Sequence, residues 1–335
     1  MGCPNCHFDK FLEMSVEVGG FGFDTATQFR PLQPRLPLYI PKHQHSSNRS
    51  VAQRIPWLAV DFRSLLRLDR KREHLLPRFS SASEMKAAHC VSDDTNVLLI
   101  GATDDPQIEL FWEYHQVDGL AAALHQMGIA AATTPNYSFF TNVNRTRVLH
   151  NRKRMLLVAK RLSDAGLPVA LHLNALTRAD WDRWFEILNA QQGMCVVAKE
   201  FQTGNKIVEN GEKAWDELSR LEQRLGRPLH VVAVGGAQFL SYAAQRVTSV
   251  TLVDSAVAMK TSVRQRAVLR RGNELIWRPS PTLPREPLDD LWAWNARVYG
   301  RWVEQTITEA RGNETADPRQ IELPLLAPRK LRNAG

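Results

Sequence analysis

The sequence predicts an α/β protein built as a (β/α)8 barrel. Six short apolar runs, each followed by a stretch of helical character, fill the middle of the chain. Unbroken apolar runs indicate strands that are buried on both faces, as in a parallel sheet covered by helices. Alternation of such strands with helices is typical of α/β folds. The six runs cover residues 97–101, 129–133, 168–173, 195–198, 230–235 and 250–254.

Two further segments bring the predicted strands to eight, the number that closes a barrel. They are Trp57 to Phe62 at the start and Glu274 to Trp277 at the end. The main alternative is an open doubly wound sheet, which requires a glycine-rich phosphate loop after its first strand, and residues 101–105 do not form one. Helices are expected at 106–127 with a break near 118–119, and at 143–165, 178–190, 206–225, 237–246, 257–271 and 287–311.

This assignment divides the chain into three parts. Residues 1–55 are rich in glycine and proline and are expected to form an irregular N-terminal arm. Residues 56–280 are expected to form the barrel. Residues 281–335 are expected to form a Trp-rich helix and a polar, flexible tail.

Composition limits the cellular setting and the partners. No run of about twenty apolar residues is present, so no membrane span is expected. The N-terminus lacks the layout of a secretory signal, and four cysteines are too few for a disulfide scaffold of 335 residues. A cytoplasmic protein is therefore expected. The formal net charge of +8 favours a polyanionic partner, such as DNA or tRNA.

Two predicted helices concentrate the basic residues. Solvated helix faces are one interpretation of these clusters, and contacts with nucleic-acid phosphates are the other. Four residues are expected to make the phosphate contacts, namely Arg145, Arg152, Lys260 and Arg264. The first cluster comprises Arg145, Arg147, His150, Arg152, Lys153, Arg154, Lys160 and Arg161, and the second comprises Lys260, Arg264, Arg266, Arg270 and Arg271.

Candidate site residues follow the predicted strands, because the chemistry of parallel α/β folds takes place at the carboxyl ends of strands. Each candidate also has a structural interpretation: an inward-packed turn, a core histidine, a tight β-to-α turn or a helix N-cap. The opposite charges of Lys199 and Glu200 directly after a buried strand are unusual, because burial requires them to be paired. The candidates are Asn136, Tyr137, Ser138, His172, Asn174, Glu200, Gln202, Gly235, Gly236 and Asp254.

The N-terminus contains one metal-like motif. Cys3 and Cys6 have the Cys-x-x-Cys spacing of a zinc site, which needs two further ligands. His89 with Cys90, or His43 with His45, are the candidates for them. The alternative is an N-terminus with free thiols and no metal. No other cofactor is expected.

The stretch from Ile100 to Gly204 resembles an uncharacterised family of phages and mobile elements whose hallmark is a strand that ends in Pro-Asp-Phe-Ser. The counterpart here is Pro135-Asn136-Tyr137-Ser138, with Asn in place of Asp. This resemblance implies no activity.

Residues 95–272 also resemble the guanine transglycosylases of tRNA and their DNA-modifying relatives. The order of polar residues after successive strands carries the resemblance: Asn136, Asn174, Gln202, Gly235-Gly236 and Asp254. This sequence departs from that family at Asn136 and Asn174, where the family has Asp, and it lacks the family's C-terminal cysteine-rich zinc site.

The second resemblance implies an exchange of guanine for a modified, 7-deazaguanine-type base in DNA or RNA. Asp254 would attack the sugar C1′ and form a covalent intermediate, Asn136 would act with it, and Tyr137 or Phe139 would stack on the base. One alternative is a non-catalytic nucleic-acid-binding protein on a degenerate barrel, which the Asn residues at 136 and 174 favour. A nuclease or glycosidase that uses Asp104, Asp105 and Glu200 is another.

Overall fold

Eight parallel strands form a nearly closed barrel with helices around it, so the predicted (β/α)8 fold is confirmed. The structure is a computed structural model, and it describes residues 8–22, 29–33, 35–44, 48–69, 71, 74–114, 119–283 and 285–312. In spatial order the strands are β1, β10, β9, β8, β7, β6, β5 and β2. Their bounds are β1 Tyr39–Pro41, β2 Trp57–Asp61, β5 Asn96–Ile100, β6 Ile129–Thr133, β7 Val169–His172, β8 Val196–Glu200, β9 His230–Val234 and β10 Ser249–Asp254.

The barrel closes between β1 and β2. The backbone N–H of His43 donates to the carbonyl of Ala59 at 2.7 Å, and a parallel bridge joins Lys42 to Ala59. The Lys42 ammonium lies 3.3 Å from the Asp61 carboxylate just above this bridge. The barrel is therefore closed by β1, which lies in the expected N-terminal arm, and β2, which lies in the expected barrel.

Helices on the outside of the barrel begin and end at recognisable caps. The Asn144 side chain accepts from the N–H of Arg147 at the start of the helix Arg145–Asp164, and Thr177 and Asp180 form a capping box at the start of the helix Arg178–Ala190. No helix in the described ranges is long and apolar enough to cross a membrane. The helix bounds are α1 Phe8–Glu17, α2 Phe62–Leu65, α3 Ala82–Ala88, α4 Asp105–Tyr114, α5 Leu120–Gln126, α6 Arg145–Asp164, α7 Arg178–Ala190, α8 Val208–Leu225, α9 Leu240–Ala244, α10 Ala256–Ser262 and α11 Asp289–Ala310.

The two faces of the sheet bury different side chains. Small and medium residues such as Ala131, Ala170 and Ala198 fill the lumen, where space is limited. The outer face packs against large residues of the helices, including Trp184 of α7 and Trp215 of α8. The alternation along each strand therefore decides whether a side chain at its carboxyl end faces the lumen or the helix layer.

Three expectations about the chain's organisation are wrong. The barrel begins in the expected arm, because Tyr39–Pro41 forms β1 and buries Ile40 completely in the lumen. Glu274–Pro279 is β12, which pairs antiparallel with β11 (Gln265–Arg270) in a hairpin outside the barrel. The helix expected at 257–271 therefore ends at Ser262. A second hairpin, β3 Leu66–Asp69 with β4 His74–Pro77, also lies outside the barrel.

Candidate functional site

The carboxyl ends of β6, β7 and β8 open into a cavity of about 1180 Å³ that extends between α7 and α8. Four of the predicted site residues line this β6–β8 cavity, namely Asn136, Ser138, Asn174 and Glu200. Its volume lies somewhat above the range of about 300–1,000 Å³ that is typical of small-molecule sites. We therefore take this cavity as the candidate functional site.

Two asparagines hold each other in place in the cavity wall. The Asn174 amide donates to Asn136 Oδ1 at 2.6 Å and to the carbonyl of Tyr137 at 2.9 Å. The indole N–H of Trp184, which is fully buried, donates to the Asn174 carbonyl at 2.8 Å. These contacts fix the orientation of the Asn174 amide, so its Oδ1 is left to face Lys199.

Lys199 also lines this cavity, although it was not among the site residues predicted from the sequence. Its side chain lines the cavity, only 4% of the residue is exposed, and its Nζ lies 3.5 Å from Asn174 Oδ1. Burial lowers the pKa of Lys199 to about 8, although the charge of Glu200 opposes this shift. A signal was present in the sequence, because a lysine directly after a buried strand is rare.

Lys199 and Glu200 do not pair with each other, contrary to the expectation that buried opposite charges require it. Alternation along β8 puts Glu200 on the lumen side with Ala198, and Lys199 on the other side. The Glu200 carboxylate accepts from the N–H of Gln202, and from the N–H and hydroxyl of Thr203 at 2.8 Å and 3.0 Å. Glu200 therefore stabilises the loop after β8, and the ammonium of Lys199 is left with an amide oxygen.

The outer part of the cavity is predominantly basic. Arg220 pairs with Glu217 in the cavity wall, and Arg224 pairs with Asp182 at 2.7 Å. Arg178 and Lys213 add two exposed cations. With Lys199, five cations and two carboxylates line the cavity, so its net charge favours an anionic ligand.

Aromatic residues at the cavity differ from the expected arrangement. Tyr137 is only 1% exposed, and the Arg154 guanidinium lies 4.0 Å from its ring centroid. A base cannot stack on a ring that is enclosed in this way, so the expected role of Tyr137 is wrong. Phe139, the other residue expected to stack on a base, lines the cavity together with the half-exposed Phe140. The Ser138 hydroxyl donates to Asp105 at 2.8 Å.

His172 lies in the barrel rather than in the cavity. It belongs to the same face of β7 as Ala170, is fully buried, and has no hydrogen-bond partner for either ring nitrogen within the described part of the chain. Burial and the charge of Lys199 lower its pKa to about 3, so the ring is neutral at physiological pH. A ring with no exposed surface cannot contact a substrate, so the expected substrate-binding role of His172 is wrong.

The other predicted residues meet at the ends of β8, β9 and β10. The Gly235 N–H donates to the Val253 carbonyl at 2.8 Å, and a Cβ on Gly235 would come within 2.5 Å of the Gln202 side chain. Gly235 and Gly236 have φ values of +73° and +79°, which glycine adopts readily. Both glycines thus form the tight β-to-α turn that was the structural alternative, and the N–H of Gly235 is already bonded.

Asp254 ends β10 beside this turn, on the side of the sheet opposite to Val253, which faces the lumen. Its Oδ2 accepts from the Tyr299 hydroxyl at 2.6 Å, and its Oδ1 accepts from the N–H of Ala256 at 3.0 Å. Burial raises the pKa of this carboxyl, against the effect of both hydrogen bonds. With 8% of the residue exposed, Asp254 therefore binds the first N–H of α10 and the Tyr299 hydroxyl of α11.

The four expected phosphate contacts do not form one surface. Arg152 is fully buried and binds Asp180, as does Arg145 at 2.6 Å, so Arg152 cannot contact phosphate without leaving the core. Lys260 and Arg264 follow β10, which lies four strands from β6 in an eight-stranded barrel. The two basic clusters therefore lie on opposite sides of the molecule.

The predicted zinc site concerns residues that the structure does not describe, since Cys3, Cys6 and His45 lie outside the described ranges. The rings of His43 and His89 are 4.4 Å apart, and His89 Nδ1 contacts the Met85 carbonyl at 2.7 Å. The described residues contain no group of three or more His, Cys, Asp and Glu side chains that could hold a metal ion.

No known family model matches the chain, and no curated protein is similar to it. Some solved structures match the fold of this chain at low structural similarity. An HpcH/HpaI aldolase from Desulfitobacterium hafniense DCB-2 is 12% identical with a TM-score of 0.33, over 62% of this chain and 80% of that one. The catalytic domain of a GH26 endo-β-1,4-mannanase from Bacillus sp. JAMB-750 is 12% identical with a TM-score of 0.36, over 72% of this chain and 81% of that one. At such values, no residue role is transferred from either protein.

Proposed function

We propose that this protein is an enzyme that forms an imine between Lys199 and the carbonyl carbon of a small anionic substrate. The observation that carries the proposal is that Lys199 is buried, lines the β6–β8 cavity, and makes a single long hydrogen bond, to the side-chain amide of Asn174. A pKa of about 8 leaves about a tenth of this amine neutral at pH 7, about 300 times the neutral fraction of a lysine with a pKa of 10.5. A neutral amine is the form that attacks carbonyl carbon.

The covalent step needs only this amine and proton transfer. The Nζ lone pair adds to the carbonyl carbon, the carbonyl oxygen takes up a proton, and the resulting carbinolamine loses water to give the imine. Asn174 Oδ1 accepts a hydrogen bond from the amine at 3.5 Å and so directs it. The amide pair of Asn136 and Asn174 supplies polar groups of fixed orientation for the substrate.

The charge of the cavity supports the anionic character of the substrate. Arg178, Lys213 and Arg220 surround its outer part, while Lys199 lies 4% exposed at its inner end. A carboxylate or phosphate held by the outer cations would leave the carbonyl group at the amine. Guanidinium groups suit such anions because they bind two oxygens at once.

Reductive trapping tests the proposal. The protein is incubated with pyruvate or glyoxylate and sodium borohydride, which reduces an imine to a stable secondary amine, and peptide mass spectrometry locates the adduct. We expect the adduct on Lys199, its absence in Lys199→Met, and full retention in Lys160→Met, which removes a half-exposed lysine of α6. Random modification of surface lysines, or an adduct that survives in Lys199→Met, would contradict the proposal.

Base exchange on nucleic acid is the second candidate. The observation that favours it is the adjacency of Gln202, Gly235 and Asp254, which the transglycosylase resemblance requires at neighbouring strand ends. The hydrogen bonds of Asp254 to Tyr299 and Ala256 weigh against it, because they occupy both carboxylate oxygens.

Asp254→Asn distinguishes the two roles of this carboxylate. Loss of a covalent nucleophile lowers the exchange of labelled guanine into DNA or tRNA by several orders of magnitude. A residue that only accepts a hydrogen bond from the first N–H of α10 tolerates the same change, since the asparagine side-chain oxygen accepts such bonds nearly as well as aspartate. Exchange in the parent protein that disappears in Asp254→Asn would establish base exchange, and its absence from the parent would exclude it.

A further inference from the structure

The β11–β12 hairpin and the residues that lead into it from α10 concentrate much of the charge of the molecule. Residues 260–279 contain six Lys and Arg residues and one Glu, which gives this segment a net charge of +5 out of +8 for the whole chain. The segment runs from the end of α10 through β11 (Gln265–Arg270), a turn and β12 (Glu274–Pro279). We call the two strands and their turn the ribbon.

One face of the ribbon is fixed to α11. The Asn295 side chain, which is fully buried, accepts from the N–H of Ala267 and donates to the carbonyl of Gln265, both at 2.8 Å. The Trp294 indole donates to the Ala267 carbonyl at 2.9 Å. At the turn, Asn273 donates to Thr306 at 2.9 Å. The ribbon is therefore held at its base and at its turn, and its other face is left to solvent.

The solvent face carries arginines directly opposite each other. Arg266 pairs in register with Arg278, and both are exposed. Like charges in such a pair have Cβ atoms about 5 Å apart and destabilise the two strands. The Arg266 guanidinium lies 3.8 Å from the ring centroid of the half-exposed Trp294, and no carboxylate of a described residue lies within 4 Å of either guanidinium. Farther along, Arg270 pairs with Glu274 at 3.4 Å.

An anion between Arg266 and Arg278 would remove their repulsion. Repeated anions at a fixed spacing would also engage the exposed Arg271 in the turn. A two-stranded antiparallel ribbon has the width that the major groove of B-form DNA admits, whereas the narrow major groove of RNA duplexes does not admit it. Arginine binds phosphate oxygens in pairs, and its stacking on Trp294 keeps one guanidinium in place.

We propose that the ribbon is a binding element for the sugar–phosphate backbone of duplex DNA. The surface lies outside the β6–β8 cavity, so the proposal does not depend on the reaction at Lys199. Because the contacts are made to phosphates, binding is expected to depend little on base sequence and strongly on salt.

The test measures the salt dependence of binding. Fluorescence anisotropy of a labelled DNA duplex is recorded from about 50 to about 200 mM salt, a range in which each phosphate contact changes the affinity about threefold to fourfold. We expect Arg266→Gln/Arg278→Gln to reduce the slope of log K against log[salt] by about two units, so that its affinity changes about tenfold less than the parent's over this range. The matched control is Arg63→Gln/Arg161→Gln, which removes two exposed arginines elsewhere and keeps the parent's slope.

Two further probes make the proposal falsifiable. Vesicles that contain phosphatidylserine carry negative charge without the regular geometry of DNA, and far-ultraviolet circular dichroism checks that each variant is folded. Tighter binding to DNA than to vesicles, lost in the ribbon variant, supports the proposal. Absence of DNA binding by the parent, binding to vesicles at least as tight as to DNA, or equal slopes for the ribbon and control variants would overturn it.

Discussion

Removal of the Asp180 carboxylate is expected to destabilise the fold strongly. Its buried carboxylate binds Arg145 and the fully buried Arg152, and its Oδ2 accepts from the N–H groups of Leu176 and Thr177, each at 3.0 Å. In Asp180→Asn, the amide cannot balance the charge of Arg152, and an N–H replaces one of the accepting oxygens. Loss of one partner from a buried ion pair costs about 3–5 kcal/mol.

Urea unfolding followed by tryptophan fluorescence measures this cost. With an m-value of about 3 kcal/mol/M, the midpoint of Asp180→Asn falls by about 1 M or more. Asp182→Asn is the matched control on the same helix, because its partner Arg224 is half-exposed and such pairs contribute about 1 kcal/mol or less. Equal midpoints for the two variants would refute the assignment of Asp180 as a buried anchor.

The pH dependence of Asp180 has a defined sign. Burial alone would raise the pKa of this carboxyl, but the hydrogen bonds from Arg152 and the Leu176 N–H and the charge of Arg152 lower it to about 2. The stability that it supplies is therefore complete above about pH 4, the ordinary range of the pKa of an aspartate, and is lost as the pH falls through about 2. The difference between the parent and Asp180→Asn should shrink over the same interval.

Two further predictions concern the lumen and the glycine turn. Because the pKa of His172 is about 3 in the folded protein, its neutral ring supplies stability above pH 6.5 that is lost as the pH falls towards 3. In urea titrations, His172→Leu should reduce the pH dependence of the free energy of unfolding over this interval by up to about 1.4 kcal/mol per pH unit. An unchanged pH dependence would contradict the assignment. Gly236→Ala should cost more than about 2 kcal/mol, because its φ of +79° is strained for alanine and the new Cβ would lie 2.6 Å from the Phe201 Cβ. Gly204→Ala is its control, since a Cβ there meets no atom within 4 Å. Equal unfolding midpoints for the two glycine variants would exclude the proposed strain.

The central barrel could be predicted from the sequence because its strands are continuous apolar runs. Seven of the eight barrel strands correspond to predicted ones, from Trp57–Asp61 to Ser249–Asp254. The remaining strand, Tyr39–Pro41, is three residues long and lies among prolines, so its apolar signal is too short to recognise. The hairpin at 265–279 was obscured by its arginines, although its turn contains Gly272 and Asn273, both at positive φ.

The candidate site was only partly predictable, because strand position does not by itself give the direction of a side chain. Asn136 and Asn174 were expected together and are hydrogen-bonded to each other. His172 and Lys199 lie on different faces of neighbouring strands. His172 is two residues after the lumen residue Ala170 and so shares its face, whereas Lys199 is one residue after the lumen residue Ala198 and so lies on the opposite face. The burial of Arg152 could not be foreseen, since its partner Asp180 lies on the following helix.

The pKa of Lys199 is the most direct test of its proposed role as the nucleophile. The protein is labelled with ¹³C at the lysine ε-carbon, the Lys199 resonance is identified by its absence from Lys199→Met, and its shift is followed by NMR as a function of pH. We expect a pKa of about 8 for Lys199, caused by its burial at the end of β8. A midpoint near the ordinary lysine value of 10.5 would show a protonated, well-solvated ammonium and would contradict the proposed nucleophile.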